Sequence, residues 1–272
     1  MKSCDTFFKP IYPFEVKTKY IEVDSTSPEN VHDSHIHEEC EIYINLSGDV
    51  SFVVDDSIYP VVPGSIIITR PFEYHHCVYH SNNLHKHFWI LFSAVGNEYL
   101  FDAFYNRRVG ENNLLMLTPD KTKELISICS EMAEDSGSDL KKYCRFFKLM
   151  SLLHDADTPN YSTSAYPDDV LDAMKYINDN LSNRLTVAEI SQKVNVSINT
   201  LERHFMRVLN VSPVAYIRKK RLSNAVKLLS EGRTVTEASE KSGFSDYSGF
   251  IALFKKTYGR TPLAYKKSRD SH

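Results

Sequence analysis

The C-terminal third of the chain repeats itself, and the repeat narrows the available folds more than any other feature. The stretch "LTVAEISQKVNVSINTLERHFMRVLNVSPVAYIRK" (185–219) lies over "RTVTEASEKSGFSDYSGFIALFKKTYGRTPLAYKK" (233–267). Thr186-Val187 meets Thr234-Val235, Glu189 meets Glu237, Ser191 meets Ser239, and Ser197 meets Ser245. One extra residue enters the second copy, after which Phe205 meets Phe254, Pro213 meets Pro262 and Ala215-Tyr216 meets Ala264-Tyr265. Each copy reads as a short helix, a turn at Asn195 or Gly243, and a second helix. Asn and Gly tolerate the left-handed backbone that such a turn needs. Ser197 and Ser245 stand where an N-cap belongs. The pattern is a helix-turn-helix, twice, and its second helices are of the kind that enters a major groove.

Charge divides the chain along the same line. Residues 1–165 carry 14 Lys and Arg against 24 Asp and Glu, a net of −10, whereas residues 166–272 carry 18 against 11, a net of +7. A basic third on an acidic chain points to a nucleic-acid-binding module joined to one with another task. Nine of the eleven histidines fall in the acidic part. The five cysteines are scattered, with no Cys-x-x-Cys pair, which argues for reduced thiols and against a disulfide framework or zinc ribbon. No apolar run is long enough to span a bilayer and the N-terminus lacks a signal-peptide h-region, so a cytoplasmic protein with no membrane partner is expected.

The acidic part has a different period. "CEIYINL", "VSFVV", "SIIITR" and "HFWILFS" are short, β-branched and aromatic, with turn residues between them, as in a small barrel or sandwich. From residue 119 the spacing becomes helical, with apolar stripes through Leu125, Ile128, Cys129 and Met132 and through Leu140, Tyr143, Phe147 and Met150. "ADTPNYSTSAYPDD" reads as a linker. The expected fold is two-domain α+β: a barrel over 1–118, a helical pair over 119–156, a linker over 157–167, and an all-α double helix-turn-helix over 168–272.

Within the barrel, "HDSHIHEECEIYIN" places His35, His37 and Glu41 at one parity of an extended run. With His75 they form a set of donors suited to zinc, iron, manganese or nickel, but the first expectation is that the chain carries no cofactor, a divalent metal being the alternative. The opposite face (Ile36, Cys40, Ile42, Ile44) is the more apolar, so which face meets the core stays open at this point. No positioned base or nucleophile accompanies the set, and no catalytic residues are assigned.

The region 168–267 resembles the double helix-turn-helix domain of the AraC family of transcription regulators. Gly243-Phe244, Phe250, Phe254-Lys255-Lys256, Gly259, Thr261-Pro262 and Tyr265 match that family's C-terminal signature. The resemblance implies two subdomains joined by a long helix within 213–231, and double-stranded DNA as partner. "HIHEECEIYINLSG" and "PGSIIITRPFEYHH" resemble the cupin-like barrel that many members carry, with His35, His37, Glu41 and Gly48 in one motif and Pro63-Gly64 and His75 in the other. This implies a small-molecule sensor, a sugar among the candidates, and a homodimer paired through the helical segment. Two other classes compete: a metal-dependent cupin enzyme with an accessory nucleic-acid module, and a regulator whose barrel only dimerises.

These readings name residues. For the effector they are His37, Tyr43, Phe52, Arg70, His75 and Trp89, an aromatic platform with directed polar groups; the aromatic arm Phe7, Phe8, Tyr12 and Phe14 either closes over the ligand or covers an edge strand. For dimerisation they are Leu125, Ile128, Met132, Phe147, Met150 and Leu153. For DNA, Asn199, Thr200, Glu202 and Arg203 fall on the face of the first recognition helix away from Leu201 and Phe205, with base-reading chemistry to match. The equivalent positions of the second copy are Ser248, Gly249, Ile251 and Ala252. Ala252 departs from the Arg common in the family, so Ile251 and Ala252 are left for apolar contacts to thymine methyls. Lys255, Lys256, Arg207, Lys227 and Arg260 are the phosphate candidates.

Overall fold

The computed structural model describes residues 11, 14–24, 37–81, 83–134, 137–161, 163 and 166–269. Two antiparallel sheets face each other. The larger runs in the order β1 (Val16–Asp24), β7 (Leu84–Phe92), β2 (Cys40–Ser47), β5 (Ile66–Thr69) and β8 (Leu114–Leu115). The smaller runs β4 (Ser57–Val61), β3 (Val50–Val54), β6 (His75–Tyr79). A short helix, α1 (Asp102–Tyr105), precedes β8.

The chain is layered, and strand parity decides what each layer touches. Ile42, Ile44, Ile66, Ile68, Phe88, Ile90 and Phe92 leave the outer face of the larger sheet. They pack on Leu125, Ile128 and Cys129 of α2 (Pro119–Ala133) and on Phe146, Leu149, Met150 and Leu153 of α3 (Asp139–His154). The opposite parity, Tyr43 and Ile67, meets Val50, Phe52, Val54, Tyr59 and Val61 of the smaller sheet in the lumen. The remaining face of the smaller sheet, through Val53, Ile58, Tyr74 and Val78, carries the helical domain: α4 (Asp168–Asp179), α5 (Val187–Lys193), α6 (Ile198–Leu209) and the first half of α7 (Pro213–Ser230). A second helical unit, α8 (Val235–Lys241), α9 (Tyr247–Tyr258) and α10 (Pro262–Arg269), builds its own core around Phe250, Phe254, Tyr265 and the second half of α7.

One expectation is corrected here. The stripes assigned to a dimer are spent on the chain's own barrel: Leu125, Ile128, Met150 and Leu153 are buried and Met132 and Phe147 half-buried, all against the larger sheet. An amphipathic period shows that a face is covered, not by what. Phe14 lies among Phe101, Tyr143, Phe146 and Phe147, beside the edge strand β1 and away from the lumen; Phe7, Phe8 and Tyr12 lie outside the described residues.

The repeat is structural as well as sequential. α5 and α8 each open with a capping box, Thr186 with Glu189 and Thr234 with Glu237, in which two backbone N–H groups are satisfied reciprocally. Asn195 (φ +56°) and Gly243 (φ +82°) turn each pair in the left-handed region. Ser197 caps α6 through the N–H of Thr200, whereas α9 begins one residue later than the Ser245 register, with Asp246 at its N-cap position. The long joining helix is α7, whose 18 residues span about 27 Å at ~1.5 Å each.

Candidate functional site: the lumen and the recognition helices

The lumen is polar at one end and aromatic along its wall. Glu41, buried on β2, turns Oε2 toward Nε2 of His37 at 2.9 Å and Nε2 of His75 at 3.2 Å. Each ring is fixed from behind, because Nδ1 of His37 donates to the Glu39 carbonyl (2.9 Å) and Nδ1 of His75 to the Glu73 carbonyl (2.7 Å). A carbonyl only accepts, so Nδ1 carries the hydrogen, and a neutral ring then presents a bare Nε2. Two bare nitrogens and an ionised carboxylate oxygen repel one another. A shared proton or a bound cation would each relieve that repulsion.

Donors bonded at ~2.1 Å to one ion stand roughly 3.0–3.4 Å apart, and the backbone carbonyls behind each ring are the usual outer partners of metal-bound histidine. The donor atoms of His37, Glu41 and His75 lie within 4.8 Å of one another, so the three residues could hold such an ion on a small inward adjustment; His35, the fourth residue of the expected set, lies outside the described residues.

Beside the cluster is a cavity of about 210 Å³, lined by Tyr43, Phe52, His75, Cys77, Tyr79, His87 and Trp89, with Lys19 and Ile21 of β1 at its edge. The Tyr43 ring lies 4.6 Å from His87 and 5.0 Å from Phe52, and Lys19 reaches over Trp89 at 5.6 Å. Burial pushes the Tyr43 and Tyr79 phenols and the Cys77 thiol up, so all three keep their protons. Asn45 sits fully buried at the same strand parity as Tyr43, whose hydroxyl donates to its Oδ1 at 3.2 Å. The volume lies below the ~300 Å³ floor for drug-sized ligands and suits a compact polar molecule. A larger groove, about 600 Å³, runs between β1 and the ends of α2 and α3. It gathers surface charges rather than convergent buried donors, so the lumen is the better site.

Of the expected effector residues, Tyr43, Phe52, His75 and Trp89 line the cavity and His37 joins it through Glu41. Arg70 does not. It points toward Glu73 and the Arg107 carbonyl in a loop behind the triad, because its strand has ended at Thr69. Cys77, Tyr79, His87 and Asn45 were missed; each sits at lumen parity on its strand, a signal usable only once the inward face is known.

On the DNA side, Asn199, Glu202, Arg203 and Arg207 are exposed on α6, opposite buried Leu201 and Phe205. Thr200 is half-buried and engaged with Ser197 in the cap, Oγ to Oγ at 2.8 Å, which takes it from the reading face. Met206, 49% exposed, was not anticipated and offers an apolar contact next to Arg203. On α9, Ser248, Ala252, Lys255 and Lys256 are exposed, while Ile251 is half-buried against the second core and is not free to read bases. Arg260 stacks 4.5 Å over Tyr265. Lys227 lines a groove with Glu38, Phe72 and Val109 of the barrel, so it faces the other domain rather than a phosphate.

The two domains also meet through polar contacts that the sequence did not announce. Tyr216 donates to the Asp55 carbonyl (2.9 Å), Lys220 to Asp55 Oδ1 (2.6 Å), and the Ser51 and Tyr166 hydroxyls pair at 2.7 Å.

Comparison with known proteins adds relatives to this geometry. The AraC-like ligand binding domain family matches residues 23–150, and a helix-turn-helix domain family matches residues 190–268. The HTH-type transcriptional activator RhaS of Mannheimia succiniciproducens is 23% identical over 256 residues, 92% of this chain and 94% of that protein. The Msm operon regulatory protein of Streptococcus mutans is 31% identical over 139 residues, 48% of this chain and 49% of that one. Among solved structures, a transcriptional regulator with an AraC-type DNA-binding domain from Chromobacterium violaceum is 25% identical, covering 38% of this chain and 92% of that chain with a TM-score of 0.36.

Proposed function

The chain belongs to the AraC family of transcription regulators, and we propose that it is a cytoplasmic, non-enzymatic regulator whose small-molecule effector enters the lumen beside His37, Glu41 and His75. One observation carries this reading: the smaller sheet walls the lumen with one face and holds the DNA-binding domain with the other. A ligand that displaces Phe52, His75 or Cys77 presses on the strands that support α4, α6 and α7. The protonated phenols, the thiol and the aromatic wall suit a hydroxyl-rich molecule, and a sugar is the leading class. Footprinting on the chain's own upstream DNA with and without a metabolite panel, alongside melting shifts, tests it. A footprint that no metabolite alters, with no shift in melting, would leave the barrel as a partner surface only.

The donor arrangement favours a second reading of the same site, in which the triad holds a divalent cation that would polarise a ligand oxygen. Elemental analysis of protein purified without chelator checks this: one equivalent of metal, lost in His37→Ala, is the expected result. The homodimer is retained, formed through surface other than the residues buried on the barrel, for instance around Leu140 at the start of α3, which is exposed. Sedimentation of the full chain at micromolar concentration as a monomer would remove it.

A further inference from the structure

Two of the three triad residues are tied to one short loop. The backbone N–H of Phe72 donates to the His37 carbonyl at 3.0 Å, and the Glu73 carbonyl accepts from Nδ1 of His75. Residues 70–73 therefore hold one histidine by its main chain and the other by its ring. Phe72 takes φ +67°, a left-handed conformation that a bulky side chain rarely adopts. Such strain persists only where the surroundings over-determine it.

Here two anchors do so. On one side the buried Glu73 carboxylate accepts from Arg107, from the N–H of Gly110 and from the N–H of Arg70. On the other, Phe72 packs against the core of the second helix-turn-helix unit, built by Leu222, Val226, Phe254 and Tyr265. A second tie runs alongside: the Tyr265 hydroxyl donates to the carboxylate of Glu38, the residue next to His37. The first unit is held by a different surface, through Val53, Ile58, Tyr74 and Val78 and through the Asp55 contacts.

We propose that the loop Arg70–Glu73 is a transducer that makes docking of the second helix-turn-helix unit depend on what occupies the lumen triad. It rests on the lumen being the effector site. Occupancy that draws His37 and His75 toward a common centre pulls on the Phe72 N–H and on the Glu73 carbonyl, the two points that flank the strained Phe72 backbone. Relaxation of Phe72 toward negative φ withdraws its ring from the second core, and Glu38 moves with His37. The first unit stays on the sheet. The two recognition helices are then presented by one fixed and one released unit, which is a switch in operator geometry rather than in the reading residues themselves.

Hydrogen exchange on the full-length protein tests the wiring. Phe72→Ala is expected to speed exchange across 235–267 by roughly tenfold while leaving 168–209 unchanged. Glu41→Gln disturbs the triad without touching the DNA-binding domain, and should raise exchange over the same second-unit segment. Zinc ion alone should alter that segment in wild type and not in Phe72→Ala. If Phe72→Ala fails to fold, Tyr265→Phe, which removes only the hydroxyl bonded to Glu38, should give a smaller rise confined to the second unit. An unchanged second unit in Glu41→Gln, or equal loosening of both units in Phe72→Ala or Tyr265→Phe, overturns the proposal. Failure of the lumen reading shows separately, as no melting shift with any metabolite or with zinc while Glu41→Gln still loosens the second unit.

Discussion

Glu73 shows how much one buried side chain can organise. Burial alone would raise its pKa, yet the Arg107 hydrogen bonds and charge, with the Gly110 and Arg70 N–H groups, outweigh that and hold the carboxyl below the usual range. Because folding lowers this pKa, its contribution to stability is complete above the ordinary glutamate value of ~4.3 and is lost as the pH falls through the depressed one. Glu73→Gln should cost roughly 3–5 kcal/mol, since it strands the nearly buried Arg107. It should also flatten the acid limb of a urea-midpoint-versus-pH curve; an unchanged limb would assign the acid sensitivity elsewhere. Gly243 is a second single-residue test. A Cβ there would lie 2.3 Å from the Leu181 carbonyl oxygen, on a backbone at φ +82°. Gly243→Ala should therefore lower stability by about 1–3 kcal/mol, where the exposed Asn195 of the first turn tolerates Gly with little loss. Denaturant midpoints of the two variants give the comparison.

At the scale of elements, the recognition helices differ in what they offer DNA. α6 presents Asn199, Glu202, Arg203 and Met206 to solvent, whereas α9 presents Ser248, Ala252 and two lysines. Arg203→Ala should cost roughly 1–3 kcal/mol of specific binding and relax preference at one base pair. Lys256→Ala should weaken all sequences alike and reduce the salt slope by about one. A competition assay across operator variants and salt concentrations separates them, and a tighter base requirement beneath α9 than beneath α6 would reverse the assignment. These helices were legible in the sequence because caps, left-handed turns and the 3.6 period are local signals. The barrel was less so. β2 buries both of its faces, Ile42 and Ile44 under α2 and α3, Glu41 and Tyr43 in the lumen, so alternation could not tell core from cavity. The stripes of α2 and α3 were visible as apolar, but their partner strands lie far away in sequence.

At the scale of the whole molecule, the contact least legible in advance is the one between domains. Lys220 lies on α7, 165 residues from Asp55, and is almost wholly buried against it and 5.4 Å from the centroid of the Tyr74 ring. No composition rule or period announces such a pair. Asp55→Ala should leave the Lys220 charge buried and cost about 3–5 kcal/mol, or else expel Lys220 and loosen the first unit from the sheet. Lys220→Met, which keeps the stem and drops the charge, should be far milder. Thermal unfolding of the two full-length variants distinguishes the cases; equal losses would mean that the pair contributes through packing alone.

The smaller sheet sets a rule for anyone who would rebuild this chain as a biosensor. Along β3 and β6 neighbouring residues belong to different jobs: Phe52 and Cys77 look into the cavity, Val53 and Val78 onto the helices. Pocket libraries should therefore be drawn from alternate positions only, randomising Phe52, Cys77 and Tyr79 while Ser51, Val53, Tyr74 and Val78 stay as chassis. A library that varies contiguous stretches will recover binders that have lost their output, and a slip of one residue in strand pairing would exchange chassis for pocket outright.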